Sequence, residues 1–247
     1  MRPLNGGKHS PPLARSHLTR QNKGMNYPFT LAAQSLTALP SGAIHWPAQN
    51  LLCVSDLHLG KSLRMARRGG SLLPPYEVTA TLTKLDADIT ATGAKHILCL
   101  GDSFDDAQAE TDLTPDHRIW LTRLMAGRAW TWIAGNHDPA PLTLGGTNKN
   151  EATIGPLTFR HIADPAQIHD ISGHYHPKAR LKTQSRPCFL LDKSRLIMPA
   201  YGTYTGGLWA DDAAFKTLIT PPAIAILTGS QCLALPLTSG SQTRRLR

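Results

Sequence analysis

Four polar stretches of this chain, each placed after an apolar run, carry carboxylate, amide or imidazole side chains. In chain order they hold Asp56 and His58 in "DLH", Asp102 and Asp105 in "GDSFD", Asn136, His137 and Asp138 in "GNHD", and His174 and His176 in "GHYH". A ligand set of imidazole nitrogens and carboxylate or amide oxygens, with no thiolate, suits Mn²⁺, Fe or Zn²⁺ better than Ca²⁺ or a structural zinc ion. One ion does not need so many ligands, so the pattern predicts two divalent ions about 3.5–4 Å apart, an arrangement used for phosphoester hydrolysis.

Two simpler interpretations compete with this one. Any one of these histidines, taken alone, is more often a surface residue or a hydrogen-bonded core residue than a ligand. The tripeptide Gly60-Lys61-Ser62 also resembles the end of a phosphate-binding Walker A loop. That motif requires a glycine five residues earlier, where this chain has Ser55, so the sequence argues against a Walker loop.

The elements that position these residues can be read from the hydrophobic pattern. Three strand-length runs, "NLLCVSD", "KHILCLGD" and "RAWTWIAGN", end at the first three polar stretches. Between them, Val78 to Ile89 recur at helical spacing, and a second helix is predicted from the N-cap Thr114 to Gly127. Alternating strands and helices predict an α/β sandwich whose ligands gather at the carboxyl ends of the strands.

The second half of the chain is dominated by shorter strand-like segments. They follow the loop "PAPLTLGGTNKN" and read "ATIGPLTFRH", "IHDISGH", "PCFLLD", "RLIMPAYG" and "AIAILTG". We therefore expect a single domain over residues 25–237, flanked by disordered basic segments at 1–24 and 238–247. Met25 is an alternative start, in which case residues 1–24 would not be translated.

The ordered series "DLH", "GDSFD", "GNHD", a further histidine and "GHYH" resembles the signature of the calcineurin-like metallophosphoesterases over about residues 50 to 178. The resemblance implies a four-layer αββα sandwich with a two-metal centre between its sheets. It also implies hydrolysis by in-line attack of a metal-bridging hydroxide on phosphorus, with Mn²⁺ as the first candidate metal and Fe or Zn²⁺ as alternatives.

The resemblance also suggests a role for each residue. One metal would be held by Asp56, His58, Asp102 and His176, and the other by Asp102, Asn136, His174 and the further histidine. We assign that histidine to His161, which ends the run "GPLTFRH", with His169 as the alternative. His137 would protonate the leaving oxygen, Asp138 would hold its imidazole, and Asp105 would orient a ligand.

The stretches "DLHLGKSLRMARRGGSLLPPYEVTATLTKL" and "RLIMPAYGTYTGGL" resemble the branch of ligase-associated DNA-damage-response endonucleases, the ICC-like phosphoesterases. This implies a DNA substrate and repair alongside a DNA ligase and a helicase. If the segment after "DLH" is helical, Lys61, Arg64 and Arg68 share one face. That face could contact DNA phosphates, or it could be an ordinary solvated basic surface. Alternative functions are hydrolysis of a phosphomonoester or nucleotide diester, and an inactive repair scaffold.

The formal charge of +9 gives little further information about the substrate. Its cations concentrate before residue 25 and after residue 243, which leaves the middle of the chain nearly neutral. No apolar run is long enough to span a membrane and the amino terminus lacks a signal-peptide core, so we expect a cytoplasmic protein without membrane partners. The four dispersed cysteines are predicted to be reduced.

Overall fold

The computed structural model describes residues 25–70 and 73–237, and their strands form two β-sheets. The first sheet follows chain order: β1 (Tyr27–Leu31), β2 (Gln34–Ala38), β3 (Ile44–Trp46), β4 (Leu51–Val54), β5 (His96–Leu100), β6 (Ala129–Ile133) and β7 (Thr147–Lys149). The strands from β4 to β7 are parallel, whereas β1 to β4 form an antiparallel meander. Segments 1–24 and 238–247, for which disorder was predicted, lie outside the described residues.

The second sheet is formed by the carboxyl-terminal half. Its strands are β8 (Glu151–Ile154), β9 (Leu157–Arg160), β10 (Asp170–Ser172), β11 (Lys178–Leu181), β12 (Gln184–Leu191), β13 (Arg195–Ile197), β14 (Ala223–Leu227) and β15 (Leu233–Leu237). Their order is β15-β14-β12-β13-β10-β9-β8, and β11 pairs with β12. Because β9, β10 and β13 are parallel, their carboxyl ends lie at one edge of the sheet.

Among the described residues, three helices accompany the first sheet: α1 (Lys61–Arg67), α2 (Glu77–Thr92) and α3 (Pro115–Met125). The predicted helices α2 and α3 are present. Helix α2 ends at Gly93, whose φ of 65° lies in the left-handed region that favours glycine. Helix α3 begins at Thr114, which accepts a hydrogen bond from the backbone N–H of His117, with Pro115 as its first residue.

Side-chain alternation along β4 shows how the layers are built. Leu52 and Val54 face the helices, in one core with Leu82 of α2. Leu51 and Cys53 face the other way, into the core between the two sheets. Burial of each such aliphatic side chain stabilises the fold by about 1.5–3 kcal/mol, so both faces of the strand favour the same layered arrangement.

The outer face of the second sheet is covered differently from the first. Phe215, in a 3₁₀ turn at Ala213–Phe215, and Leu218 in the following loop pack on Leu190 and Ile197. The predicted α/β sandwich is confirmed, but in the described residues its fourth layer is a 3₁₀ turn and loop instead of an α-helix. Pro221 and Pro222 follow this segment directly and would interrupt a longer helix. Within the described ranges, no helix is both long enough and apolar enough to cross a membrane.

Candidate metal centre

The residues singled out in the sequence meet where the carboxyl ends of the parallel strands of both sheets come together. The first sheet supplies Asp56 after β4, Asp102 after β5 and Asn136 after β6; the second supplies His161 after β9 and His174 after β10. His58 and His176 follow two residues after Asp56 and His174. Carboxyl ends of parallel strands are where α/β sheets assemble ligand sites, so the fold explains why residues distant in sequence converge here.

One cluster that could hold a metal ion contains Asp56, His58 and His176. The Nε2 atom of His176 lies 3.1 Å from Oδ1 of Asp56 and 3.3 Å from Nε2 of His58. Burial raises the pKa of Asp56, but the hydrogen bond and positive charge of His176 outweigh burial, and the net pKa is lowered. The Asp56 carboxylate is therefore kept ionised and available as a ligand.

A second cluster that could hold a metal ion contains Asp102, His161 and His174. Oδ2 of Asp102 is 3.4 Å from Nε2 of His161 and 3.9 Å from Nε2 of His58, so it lies between the two clusters. Burial raises the pKa of Asp102, yet the bond and charge of His161 lower it to below its usual range. Burial in turn lowers the pKa of His161, but the two aspartates raise it to about 8.

Hydrogen bonds at Nδ1 of two imidazole rings indicate that Nε2 is the nitrogen able to bind a metal ion. Nδ1 of His58 lies 2.7 Å from Oδ1 of Asp105, and Nδ1 of His161 lies 2.9 Å from the carbonyl oxygen of Leu100. Since both partners can only accept, each Nδ1 carries a proton, and in the neutral ring Nε2 keeps its lone pair. Metal-binding histidines are commonly oriented in this way by a carboxylate or a backbone carbonyl.

The donor set fits divalent metal ions. Oδ1 of Asn136 lies 3.0 Å from Nε2 of His161, so an amide oxygen and a ring nitrogen lie side by side at the site. Cys53 and Cys99 are buried in the cores, and the donors at the site are nitrogen and oxygen. These are the ligands expected for Mn²⁺, Fe or Zn²⁺, in agreement with the residues singled out from sequence.

Asp138 has partners different from the one expected. Its Oδ1 accepts hydrogen bonds from the backbone N–H groups of Asp102 (2.9 Å) and Gly135 (3.0 Å). Its Oδ2 accepts from the N–H groups of Ser103 (2.7 Å) and Phe104 (3.1 Å). Burial raises the pKa of Asp138 to about 6, although these donors favour its charged form. Asp138 therefore ties the turn after β5 to the turn after β6 and does not face the imidazole that it was expected to hold.

His137 is oriented by a backbone carbonyl. Its Nδ1 lies 2.9 Å from the carbonyl oxygen of Asp105, and its Nε2 lies 4.0 Å from Oδ2 of Asp102. The side chain is 34% exposed, more than the 3% of His58. His137 thus presents Nε2 beside the clusters, at a position that solvent or a substrate can reach.

The backbone at the site adopts conformations that the sequence gives no sign of. Asp56, His58, Asp102, His174 and His176 all have φ between 45° and 71°. Non-glycine residues are uncommon there, and each costs about 1–3 kcal/mol unless the surroundings enforce it. The concentration of such residues at one place is typical of functional sites.

The glycines that precede the ligands allow the turns to approach closely. A Cβ at Gly135 would lie 2.1 Å from the backbone nitrogen of Asp102, and one at Gly173 would lie 1.8 Å from Oγ of Ser55. Ser55 itself donates a hydrogen bond to Asp56 and was noticed in the sequence only as the residue that breaks the Walker motif. Its supporting role could be recognised only from the fold.

The basic residues after "DLH" are mostly engaged with carboxylates. Arg64 binds Asp105 through Nε, and Nζ of Lys61 lies 3.8 Å from the same carboxylate. Arg68 follows the last residue of α1 and is exposed. The predicted shared face therefore does not form a row of available cations, because its first two members point at the acid that supports His58.

Two other residues considered in the sequence lie apart from the metal clusters. Oγ of Ser62 donates to Oε1 of Glu77 (2.7 Å), which is inconsistent with a role in a phosphate loop. The backbone carbonyl of His169 accepts a hydrogen bond from the N–H of Thr158, and His169 belongs to none of the groups among the described residues that could hold a metal ion. Of the two candidates for the further histidine, the structure brings His161 to the site.

Comparison with solved structures found chains of similar fold. No protein-family model matches the chain, and no curated protein matches its sequence. Among solved structures, it is similar to the crystal structure of the Pseudomonas putida nuclease MPE, with a TM-score of 0.66 and 25% identical residues. The match covers 86% of this chain and 100% of that one. The sandwich fold, with the candidate site at its edge, is therefore similar to the fold of a nuclease.

Proposed function

We propose that this protein is a two-metal phosphodiesterase of the calcineurin-like type that cleaves DNA. The observation that carries the proposal is the meeting of two ligand clusters through Asp102, whose Oδ2 lies 3.4 Å from Nε2 of His161 in its own cluster and 3.9 Å from Nε2 of His58 in the other. One ion would be held by Asp56, His58, Asp102 and His176, and the other by Asp102, Asn136, His161 and His174. When bound, the ions would polarise the phosphoryl group and lower the pKa of a water molecule.

The protein's own residues would position the diester and supply a proton. His137 donates Nδ1–H to the Asp105 carbonyl, which leaves Nε2 on the side of Asp102, 4.0 Å from its Oδ2. A protonated His137 would give that Nε2 proton to the departing alcohol oxygen, as a general acid. Asp105 would hold His58 in its binding tautomer, and Asp138 would hold the turn that carries Asp102.

The DNA substrate is inferred separately from the metal chemistry. It rests on the likeness to a nuclease of the same fold and on two stretches that resemble the ligase-associated branch. That branch adds repair beside a DNA ligase and a helicase as the biological setting. A phosphomonoesterase or a small nucleotide diesterase would use the same centre, since a fold does not by itself determine the substrate.

The proposal can be tested by comparing three substrates in the presence of Mn²⁺: bis-p-nitrophenyl phosphate, p-nitrophenyl phosphate and a single-stranded DNA oligomer. We expect diester turnover and cleaved DNA, both abolished by Asp102→Ala and reduced at least 100-fold by His137→Ala. Monoester turnover with intact DNA would refute the nuclease assignment. Absence of turnover with Mn²⁺, Fe²⁺ and Zn²⁺ would favour the inactive scaffold.

A further inference from the structure

A cavity beside the metal centre has a lysine in its lining. It has a volume of about 280 Å³, and its lining includes His176, Lys178, Ser185 and Thr205. His176 belongs to the first metal cluster, so the cavity and the centre share this side chain. Any chain whose phosphodiester lies at the metals could therefore continue into this cavity.

The side chains of β11 alternate between the core and the opposite face, where Lys178 lines the cavity. Ala179 and Leu181 pack on the hydrophobic cluster of the second sheet, whereas Lys178 and Arg180 point to the opposite face. The ring of Trp209 lies 4.8 Å from Nζ of Lys178 and 4.6 Å from the guanidinium carbon of Arg180. These cation–π contacts restrain two long side chains without neutralising them.

These cations differ from those of α1 in their partners. Arg64 and Arg67 are bound to the carboxylates of Asp105, Asp106 and Asp112. Within residues 25–70 and 73–237, by contrast, no carboxylate lies within ion-pair distance of Lys178 or Arg180. Lys178 and Arg180 therefore keep positive charge that is available to an external anion beside this cavity.

An exposed aromatic side chain stands next to the same cavity. Tyr204 is 42% exposed and immediately precedes the cavity-lining Thr205. Its φ of 60° is unusual for a bulky residue. The loop that carries it is held against the centre, since Gly202 donates its N–H to the carbonyl oxygen of Asp56. A base can stack on such a ring only if it is unpaired.

We infer that β11 and the adjoining loop, through Lys178, Arg180 and Tyr204, bind the unpaired nucleic-acid strand that flanks the scissile phosphodiester. The two cations would contact phosphates beyond the metal centre, and Tyr204 would stack on a neighbouring base. Trp209 is a positioning residue that holds the cations along the cavity. This inference rests on the proposed nuclease function but assigns the binding surface to β11 instead of α1.

The test measures binding separately from cleavage. A fluorescein-labelled 12-nucleotide single strand is titrated with the full chain in EDTA, and anisotropy gives the Kd at several salt concentrations. For the double variant Lys178→Gln/Arg180→Gln we expect a Kd at least tenfold higher and a salt slope lower by about 1.4, from two lost phosphate contacts on a single strand. Tyr204→Ala should raise the Kd at least fivefold, whereas Tyr204→Phe should keep the parent affinity.

The matched control removes two exposed cations at the opposite ends of the strands. Lys95 precedes β5, and Lys193 lies in the turn between β12 and β13. Lys95→Gln/Lys193→Gln should bind like the parent chain, and a thermal melt of each variant checks that it folds. If both double variants weaken binding equally, only net charge matters and the inference is overturned; it is also overturned if the parent binds a blunt duplex as tightly as the single strand.

Cleavage distinguishes this inference from the proposed function. For the β11 double variant, kcat/KM for the oligomer divided by kcat/KM for bis-p-nitrophenyl phosphate should fall about tenfold. An unchanged ratio would overturn the inference while leaving the phosphodiesterase intact. A parent chain that binds the strand but cleaves neither substrate would refute the proposed function and retain the binding surface.

Discussion

Replacement of Asp138 by asparagine separates two roles that this carboxylate could have. In the structure its two oxygens accept four backbone N–H groups, from Asp102, Ser103, Phe104 and Gly135. In asparagine one oxygen becomes an NH₂ group, so two buried donors lose their acceptor whichever way the amide turns. Each unsatisfied donor costs about 1–3 kcal/mol, which gives a loss of about 2–6 kcal/mol in the free energy of unfolding.

Urea unfolding at pH 8 measures this loss, because the Asp138 carboxyl, with a pKa of about 6, is then ionised. A total stability of about 5–15 kcal/mol makes the change easy to resolve. Asp106→Asn is the matched control, because its carboxylate lies in a surface ion pair with Arg67 that contributes about 0–1 kcal/mol. We also expect weaker metal binding by Asp138→Asn, since the turn that carries Asp102 is loosened.

A double-mutant cycle with His137→Ala checks the alternative role. If Asp138 acts through the His137 imidazole, the two substitutions should have strongly non-additive effects on kcat while stability stays near that of the parent. If Asp138 ties the turns together, stability falls in both backgrounds by the same amount. An Asp138→Asn protein that unfolds within 1 kcal/mol of the parent but loses catalysis would refute our assignment.

Three further perturbations follow from the geometry. Addition of Mn²⁺ at 100 times its Kd should stabilise the fold by about 2.7 kcal/mol and raise Tm by about 5–10 °C, and a Tm insensitive to Mn²⁺ would contradict the site. Gly135→Ala should prevent stabilisation by Mn²⁺, because its Cβ would lie 2.1 Å from the backbone nitrogen of Asp102. The control Gly206→Ala has open space around its Cβ and should keep that stabilisation. Equal Tm shifts with Mn²⁺ in the two variants would contradict the role of Gly135. Burial lowers the pKa of Lys84 to about 8, so between pH 8 and 10.5 the unfolded chain binds more protons at this residue than the folded chain does. The free energy of unfolding, relative to that of Lys84→Met, should therefore rise with pH by up to about 3 kcal/mol in that window. A pH-independent difference in unfolding free energy would show that hydrogen bonding to the carbonyl of Tyr201 keeps Lys84 charged as easily as water does.

The parts of the fold that the sequence predicted are those with strong local patterns. Helix α2 shows apolar residues at helical spacing with Gly93 behind them, and β4 and β5 are continuous apolar runs. The meander of β1 to β3 was not predicted, because strands of three to five residues with a mixed pattern resemble loops. The 3₁₀ layer over the second sheet likewise has no periodic signal.

The candidate site was predictable in its residue types but not in its contacts. Ligands follow strand ends, so Asp56, Asp102 and His161 could be chosen from position alone. The partner of Asp138 depends on how the turn after β5 curves toward it, and no local pattern reports that curvature. The neutralisation of Arg64 similarly depends on Asp105, 41 positions away along the chain. Long-range contacts of this kind require the folded structure.

The most direct test of the central claim is a titration of the metal-free chain with Mn²⁺ in which bound metal and hydrolysis of bis-p-nitrophenyl phosphate are measured together. We predict that turnover saturates as two Mn²⁺ ions bind per chain, and that Asp102→Ala loses both turnover and at least one bound ion. Diester hydrolysis that persists without metal, or that survives in Asp102→Ala, would contradict the account.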